Sequence, residues 1–175
     1  ISFMSSAFSV NDAKQIDPYV SIHKIASFEI NHLSLLDFLA STGKPLIIST
    51  GASTFVEIDF VVKYLQKKGF TQLALLQCTS KYPSALEKLN LSTIPVIRNR
   101  YNLPVGFSDH SVDPIIAPIM SLAFGSTIIE KHFTLDKTLP GPDHAFALNP
   151  EELSTMIRSI RNASQTIGSG KKEIL

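Results

Sequence analysis

The sequence predicts an α/β fold built from repeated βα units around a parallel sheet. Short apolar runs, LIIS at 46–49 and LALL at 73–76 among them, alternate with amphipathic stretches of helical length. That is the pattern of βα units. The runs are apolar throughout rather than alternating, as strands covered by helices on both faces are. Polar residues recur just after the runs: Ser27/Glu29, Ser49/Thr50, Ser80/Tyr82, Ser108/Asp109/His110 and Glu130/His132. A rim of polar groups spread over at least five strand ends fits a barrel, whereas a doubly wound sheet concentrates function at one switch point. Six strands are predicted. Six do not close a (β/α)8 barrel, so either two strands are missing and the architecture is an incomplete TIM barrel, or the fold is a different one.

The elements follow in order. A strand is expected over 1–4, a helical turn over 12–19 and a strand over 23–26. Residues 33–41 have helical periodicity, with apolar positions at 33, 35, 36 and 39 and Gly43 as the stop. A buried-type strand over 45–49 is closed by Thr50-Gly51, and an amphipathic helix over 54–68 is followed by Gly69. A strand over 71–77 leads to a segment, 83–97, that holds a short helix and the approach to the next strand at 104–107. The helix expected over 113–124 has Pro114 near its first turn, where a missing N–H costs little, but Pro118 awkwardly inside it. The last strand covers 126–130. The closing helix, 151–167, is entered through Asn149-Pro150, with Glu151 and Glu152 in a first turn that favours acidic groups. GSGKKEIL then reads as the start of a linker.

Composition narrows the function classes. The chain has 175 residues, 44% hydrophobic and 18% charged, which suits one globular core. With 16 basic and 15 acidic residues the net charge is +1, which offers no electrostatic case for a nucleic-acid or anionic-membrane partner. No apolar run approaches the roughly 20 residues of a membrane span. Cys78 is the single cysteine, so no intrachain disulfide forms and a reducing cytosol is the simplest compartment. The N-terminus has no basic leader and begins without Met in strand-like residues. The expectation is that the sequence starts inside a larger protein.

Several rim residues carry chemistry, each with a plainer competing role. His110 and His132 lie 22 residues apart at the ends of two successive strands. With waters and substrate oxygens, two imidazoles suit Mn²⁺, Mg²⁺ or Zn²⁺, although many such pairs bind nothing. Asp109 could orient a histidine or cap a helix. Lys24 stands where a strand interior is apolar. It either holds a phosphate or carboxylate in a barrel lumen or, the reading residue type alone favours, snorkels at the sheet margin. Glu29 could bind a polyol or a lysine, or cap in solvent. Glu130 and His132 share one face of a strand, and Lys131 takes the other, as a structural and ion-paired residue. Asp143 and His144 belong to PGPDH, a rigid loop that serves as a substrate lid or a plain turn. Ser49, Ser80 and Ser108 place three small hydroxyls at strand ends; Tyr82 either packs or touches ligand; Cys78 is a core residue. No GxGxxG, Walker or GxSxG motif is present.

The blocks FMSSAF (3–8), HKIASFEI (23–30), GKPLIISTGAS (43–53), LALLQCTSKYPS (73–84), VGFSDHS (105–111), IIEKHFTLDKTLPGPDHAF (128–146) and IGSGKK (167–172) resemble the sialic acid synthase family. EKHFTLD with PGPDH is the most specific of them. The resemblance implies a (β/α)8 barrel seen here from its third strand to its eighth. Residues 1–166 would be a partial barrel domain, and 167–175 the start of a linker to an absent C-terminal antifreeze-like domain. It implies metal ligation by His110 and His132, with Mn²⁺ foremost and Mg²⁺ or Co²⁺ as substitutes. Lys24, Ser27, Ser49 and Ser108 would bind phosphate and carboxylate. Glu29, Tyr82 and Asp143 would face the sugar, with Glu130 beside the metal; Ser80 would also bind substrate, and Lys24, Glu29 and Glu130 would be the catalytic group.

The implied reaction is a transferase condensation of phosphoenolpyruvate with an N-acyl hexosamine such as N-acetylmannosamine. C3 of phosphoenolpyruvate attacks the metal-polarised C1 aldehyde, water adds at C2 of the resulting oxocarbenium, and phosphate leaves with C–O cleavage. The products are phosphate and a nonulosonic acid of the sialic, legionaminic or pseudaminic type. The implied setting is a cytoplasmic homodimer. Departures from the family pattern include Ser80 where some members have Asn, Ser6 where Thr is frequent, Ala147 where Ser is frequent, and Phe28 where many sialic acid synthases have Gly. The family's catalytic Glu and its phosphate-side Lys and Gln from the first two strands are also missing. The isolated chain is therefore expected to be inactive. The competing readings are a noncatalytic sugar- or anion-binding barrel remnant and another phosphoenolpyruvate or phosphosugar barrel enzyme such as an aldolase.

Overall fold

The computed structural model describes residues 1–172 and 174. Five parallel strands form one sheet in chain order: β1 (His23–Ile25), β2 (Leu46–Ser49), β3 (Leu73–Cys78), β4 (Val105–Asp109) and β5 (Ile129–Lys131). Sequential order with parallel pairing at every step is the connectivity of a (β/α) barrel, and the sheet is an incomplete one. Strands β2 and β4 are buried along their whole length, as apolar runs sandwiched between layers require.

The helices α1 (Val10–Ile16), α2 (Leu33–Ser41), α3 (Phe55–Lys67), α4 (Thr93–Tyr101), α5 (Ile116–Ala123) and α6 (Pro150–Thr166) alternate with the strands. Their inward faces join the strands in one core: Leu35, Leu36 and Leu39 from α2, Val61 and Leu65 from α3, and Ile94 and Ile97 from α4 meet Ile25, Ile48, Leu75 and Phe107. Local chemistry starts the helices where the sequence indicates. The Glu57 carboxylate accepts from the Thr54 N–H and hydroxyl at 2.7 and 2.8 Å at the head of α3. Asn149 and Glu152 form a reciprocal capping box, both bonds 2.9 Å, with Pro150 as first helical residue of α6.

Four expectations need correction. The strand expected over 1–4 does not form. Ser6 makes a single parallel bridge to Lys24, and Ile1, Phe3 and Met4 are exposed, because one bridge to β1 supplies too few ladder bonds to order an edge strand. The sheet therefore has five strands rather than six. The helix expected within 83–97 forms later, at α4, after a 3₁₀ turn at Leu86–Lys88, and it ends on left-handed Asn102. Pro95 falls in the first turn of α4, where its missing N–H is harmless. Likewise α5 begins at Ile116 because the Asp113 carboxylate accepts from the Ile115 and Ile116 N–H groups at 2.8 and 2.6 Å. Pro118 thus lies in a first turn and interrupts nothing. After α6 the chain carries no helix or strand through residue 172, in keeping with a linker start, and Glu173 and Leu175 of that expected linker lie outside the described residues.

Candidate active site at the strand ends

A cavity of about 340 Å³ opens at the C-terminal ends of the strands. Eight of the expected site residues line it: Lys24, Ser27, Ser49, Tyr82, Ser108, His110, Glu130 and His132. Parallel pairing brings all five strand ends to one edge, so Lys24 and His132, more than a hundred positions apart, line one cavity.

One side is cationic and rich in hydroxyls. Lys24 is 4% exposed, and its ammonium donates to the Ile25 carbonyl and the Ser49 hydroxyl, both at 2.8 Å. This overturns the snorkelling reading, because the side chain runs forward over the buried strand ends and not out to solvent. Burial pushes the Lys24 pKa down, and the Glu130 carboxylate, 3.5 Å away, partly restores it. Ser27 Oγ accepts from the Gly51 N–H at 3.0 Å, and Ser49 and Ser108 are both buried beside it. A side chain at Gly51 has no room: a Cβ there would lie 2.7 Å from Ser80 Oγ and 2.8 Å from Cys78 Sγ. Thr50-Gly51 therefore does more than end a strand; it lets backbone close against the β3 end.

The other side is aromatic. The His110 and His132 rings are 5.3 Å apart between centroids and steeply inclined, and Tyr82 lies 4.0 Å from His110 and 5.8 Å from His132. His110 Nδ1 is 2.8 Å from the Thr79 carbonyl. A carbonyl only accepts, so Nδ1 carries the hydrogen and Nε2 keeps its lone pair. Burial lowers the His110 pKa, which favours the neutral ring that metal ligation requires. The Nδ1 of His132 lies 3.4 Å from the Asp143 carboxylate, a partner of the kind that orients metal-bound imidazoles. The donor set thus fits a divalent cation held by two nitrogens and completed by substrate or water oxygens. Among the described residues no group of three or more His, Cys, Asp or Glu side chains is arranged around one ion.

Three expected residues stand outside the cavity lining. The Glu29 carboxylate engages His32 Nδ1 at 3.1 Å in the turn after β1. The Ser80 hydroxyl is buried without a hydrogen-bond partner. The Asp143 carboxylate, half exposed, meets the site at His132. His144 faces inward, its Nδ1 2.7 Å from the Thr134 hydroxyl, and so holds the PGPDH loop closed on itself. Cys78 is buried as expected, and burial raises its thiol pKa, yet it borders the cavity with Sγ 3.8 Å from His110 Nδ1. Sequence reasoning missed Ser6, which lines the cavity, and Phe146, buried with its ring 5.1 Å from His132. An apolar residue at the end of a polar loop was the available signal for Phe146. A larger groove of about 490 Å³ along α6 lies away from this cluster, between Phe133, Leu153, Ile157 and two arginines.

A buried lysine among strand-end hydroxyls, facing paired imidazoles, defines a (β/α) barrel with a cationic, histidine-bearing rim. The particular group follows from comparison: residues 1–172 match the NeuB family, and the chain belongs to it. It is 41% identical to the N,N'-diacetyllegionaminic acid synthase of Legionella pneumophila over 99% of this chain and 50% of that protein. It is 38% identical to the pseudaminic acid synthase of Campylobacter jejuni over 97% of this chain and 50% of that protein. The crystal structure of the N-acetylneuraminic acid synthetase of Leptospira borgpetersenii, in complex with citrate, superposes with a TM-score of 0.93 at 35% identity, covering the whole chain and 61% of that structure. The chain spans about half the length of the curated relatives it matches. Among the described residues no helix is long and apolar enough to cross a membrane.

Proposed function

We propose that the protein carrying this chain condenses phosphoenolpyruvate with an N-acyl hexosamine to form a nonulosonic acid and phosphate. The observation that carries this reading is the opposition of two halves in one cavity: the Lys24–Ser49 anion cradle and, across it, the His110–His132 pair. The donor needs a cationic pocket for its phosphate and carboxylate, and the acceptor needs its aldehyde held and polarised beside it.

Lys24 anchors the donor's anionic groups together with the hydroxyls of Ser27, Ser49 and Ser108. Glu130 keeps Lys24 charged against desolvation. His110 and His132 would hold a divalent cation, Mn²⁺ foremost with Mg²⁺ or Co²⁺ as substitutes, which would supply Lewis acidity toward the sugar aldehyde. Tyr82 walls the acceptor side, while Glu29, Ser80 and Asp143 stand outside the cavity lining and would have to turn toward it to meet the substrate. C3 of the donor attacks the aldehyde carbon, water adds at C2, and phosphate leaves by C–O cleavage. The proposal extends to a cytoplasmic homodimer, supported by the family resemblance.

A phosphate-release assay tests it, with phosphoenolpyruvate, Mn²⁺ and a panel of N-acyl hexosamines. It compares the 175-residue chain with a version extended to the length of its relatives. The expected result is sugar-dependent release by the extended protein, abolished by His110→Ala or His132→Ala, and none by the chain alone. A folded, metal-loaded extended protein that releases no phosphate with any sugar of the panel overturns the reading.

A further inference from the structure

His110 and His132 are each preceded by a charged residue that the rim chemistry does not use. Asp109 and Lys131 face one another as the last registered pair of the β4–β5 ladder, one step beyond Ser108 and Glu130, and Lys131 borders the cavity while its ammonium turns away to Asp109. Lys131 Nζ lies 2.7 Å from Asp109 Oδ2, and the two side chains are 3% and 0% exposed. The same ammonium donates to the Ser111 carbonyl and lies 3.4 Å from the Ser111 hydroxyl. Asp109 Oδ1 in turn accepts from the Ser111 N–H at 2.8 Å. His110 therefore sits inside a short turn whose two flanks, Asp109 and Ser111, are both tied to the residue immediately before His132.

An apolar pair of similar volume would join the two strands at least as well. What the ion pair adds is direction, because charge-assisted hydrogen bonds hold fixed lengths and angles. Tyr82 packs against both rings but fixes no direction, and the remaining polar restraints do not link them: Thr79 holds His110 alone, and half-exposed Asp143 holds His132 at 3.4 Å. We propose that the Asp109–Lys131–Ser111 clamp is the positioning device that sets the separation and facing of the His110 and His132 imidazoles, and through them the affinity for a divalent cation. This rests on the metal reading above.

The test is Mn²⁺ titration, followed by electron paramagnetic resonance well below the melting temperature, on the protein extended to the length of its relatives. The paired variant Asp109→Leu/Lys131→Met removes the clamp without leaving a buried charge unpaired. It is expected to melt cooperatively and to bind Mn²⁺ about 10- to 100-fold more weakly than wild type, the usual effect of losing groups that orient metal ligands. Wild-type affinity in that folded variant overturns the clamp and leaves the two-histidine site standing. Wild-type binding that His110→Ala does not weaken overturns the metal reading and this inference with it. If the paired variant does not melt cooperatively, Lys131→Arg decides, since a planar guanidinium keeps the charge but not the geometry. A loss toward about tenfold supports the clamp, and unchanged affinity overturns it.

Discussion

The Lys24 ammonium reaches the Ser49 hydroxyl at 2.8 Å, although the residue opposite Lys24 in the ladder is Ile47. The side chain leans along the strand to the C-terminal edge, as strand side chains do, and so delivers its charge to the rim. That placement makes Lys24 costly to the fold and useful to an anion.

Lys24→Met is therefore expected to separate stability from binding. Burial lowers the Lys24 pKa, so between the folded value and 10.5 the unfolded chain binds more protons and stability rises with pH. Below that window the charged lysine weakens the fold. The variant should melt at least about 2 °C higher than wild type at neutral pH, with the gap closing as pH approaches 10.5. Binding of phosphate or phosphoenolpyruvate should weaken about thirtyfold or more. Thermal melts across pH and isothermal titration check the two halves; a variant less stable at neutral pH with unchanged anion binding contradicts both.

Acid sensitivity should centre on the outer face of α3 and α4. The Arg100 guanidinium, at 2.6 and 2.7 Å, and then the Tyr101 hydroxyl hold the Asp59 carboxyl well below its ordinary 3.8. A depressed carboxyl stabilises above the unfolded value and loses that contribution as pH falls through the folded one. Asp59→Asn should flatten the stability profile below about pH 4. Tyr101 is pushed up to about 12 by burial and then by Asp59. Ultraviolet titration of its phenolate in the variant should show earlier ionisation, still above the ordinary 10.0 because burial remains.

Gly106 lies opposite Leu76 in the β3–β4 ladder, and a Cβ there would come within 2.5 Å of Leu76 Cδ2 and 2.6 Å of the Ile128 carbonyl oxygen. The neighbouring backbone cannot yield as a flexible side chain would. Gly106→Ala should cost about 1–3 kcal/mol or more. Chemical denaturation measures it; a change below about 0.5 kcal/mol, the scale of a neutral surface substitution, would contradict the packing.

Self-association is the expected behaviour of the isolated chain. Among the described residues β5 pairs only with β4, and Phe133 and Leu135 beyond it are exposed, as are Phe3 and Met4 beside β1. Unpaired strand edges flanked by apolar side chains template pairing with other chains. Light scattering behind size exclusion checks this, and a monodisperse monomer with a cooperative melt contradicts it.

The sequence by itself determined the βα alternation, the parallel character of the strands and eight of the residues that line one cavity. These depend on neighbours within a turn or a strand: apolar periodicity, capping carboxylates, and polar groups placed just after apolar runs. Tertiary structure decided the rest, through contacts between residues 22 to 31 positions apart that no local pattern encodes. It buried Lys24 against Ser49 and gave His110 its tautomer through Thr79. It also paired Asp109 with Lys131 behind the imidazoles. Which polar group a strand-end residue meets is set by register between strands, and register is a property of the packed sheet rather than of either strand alone.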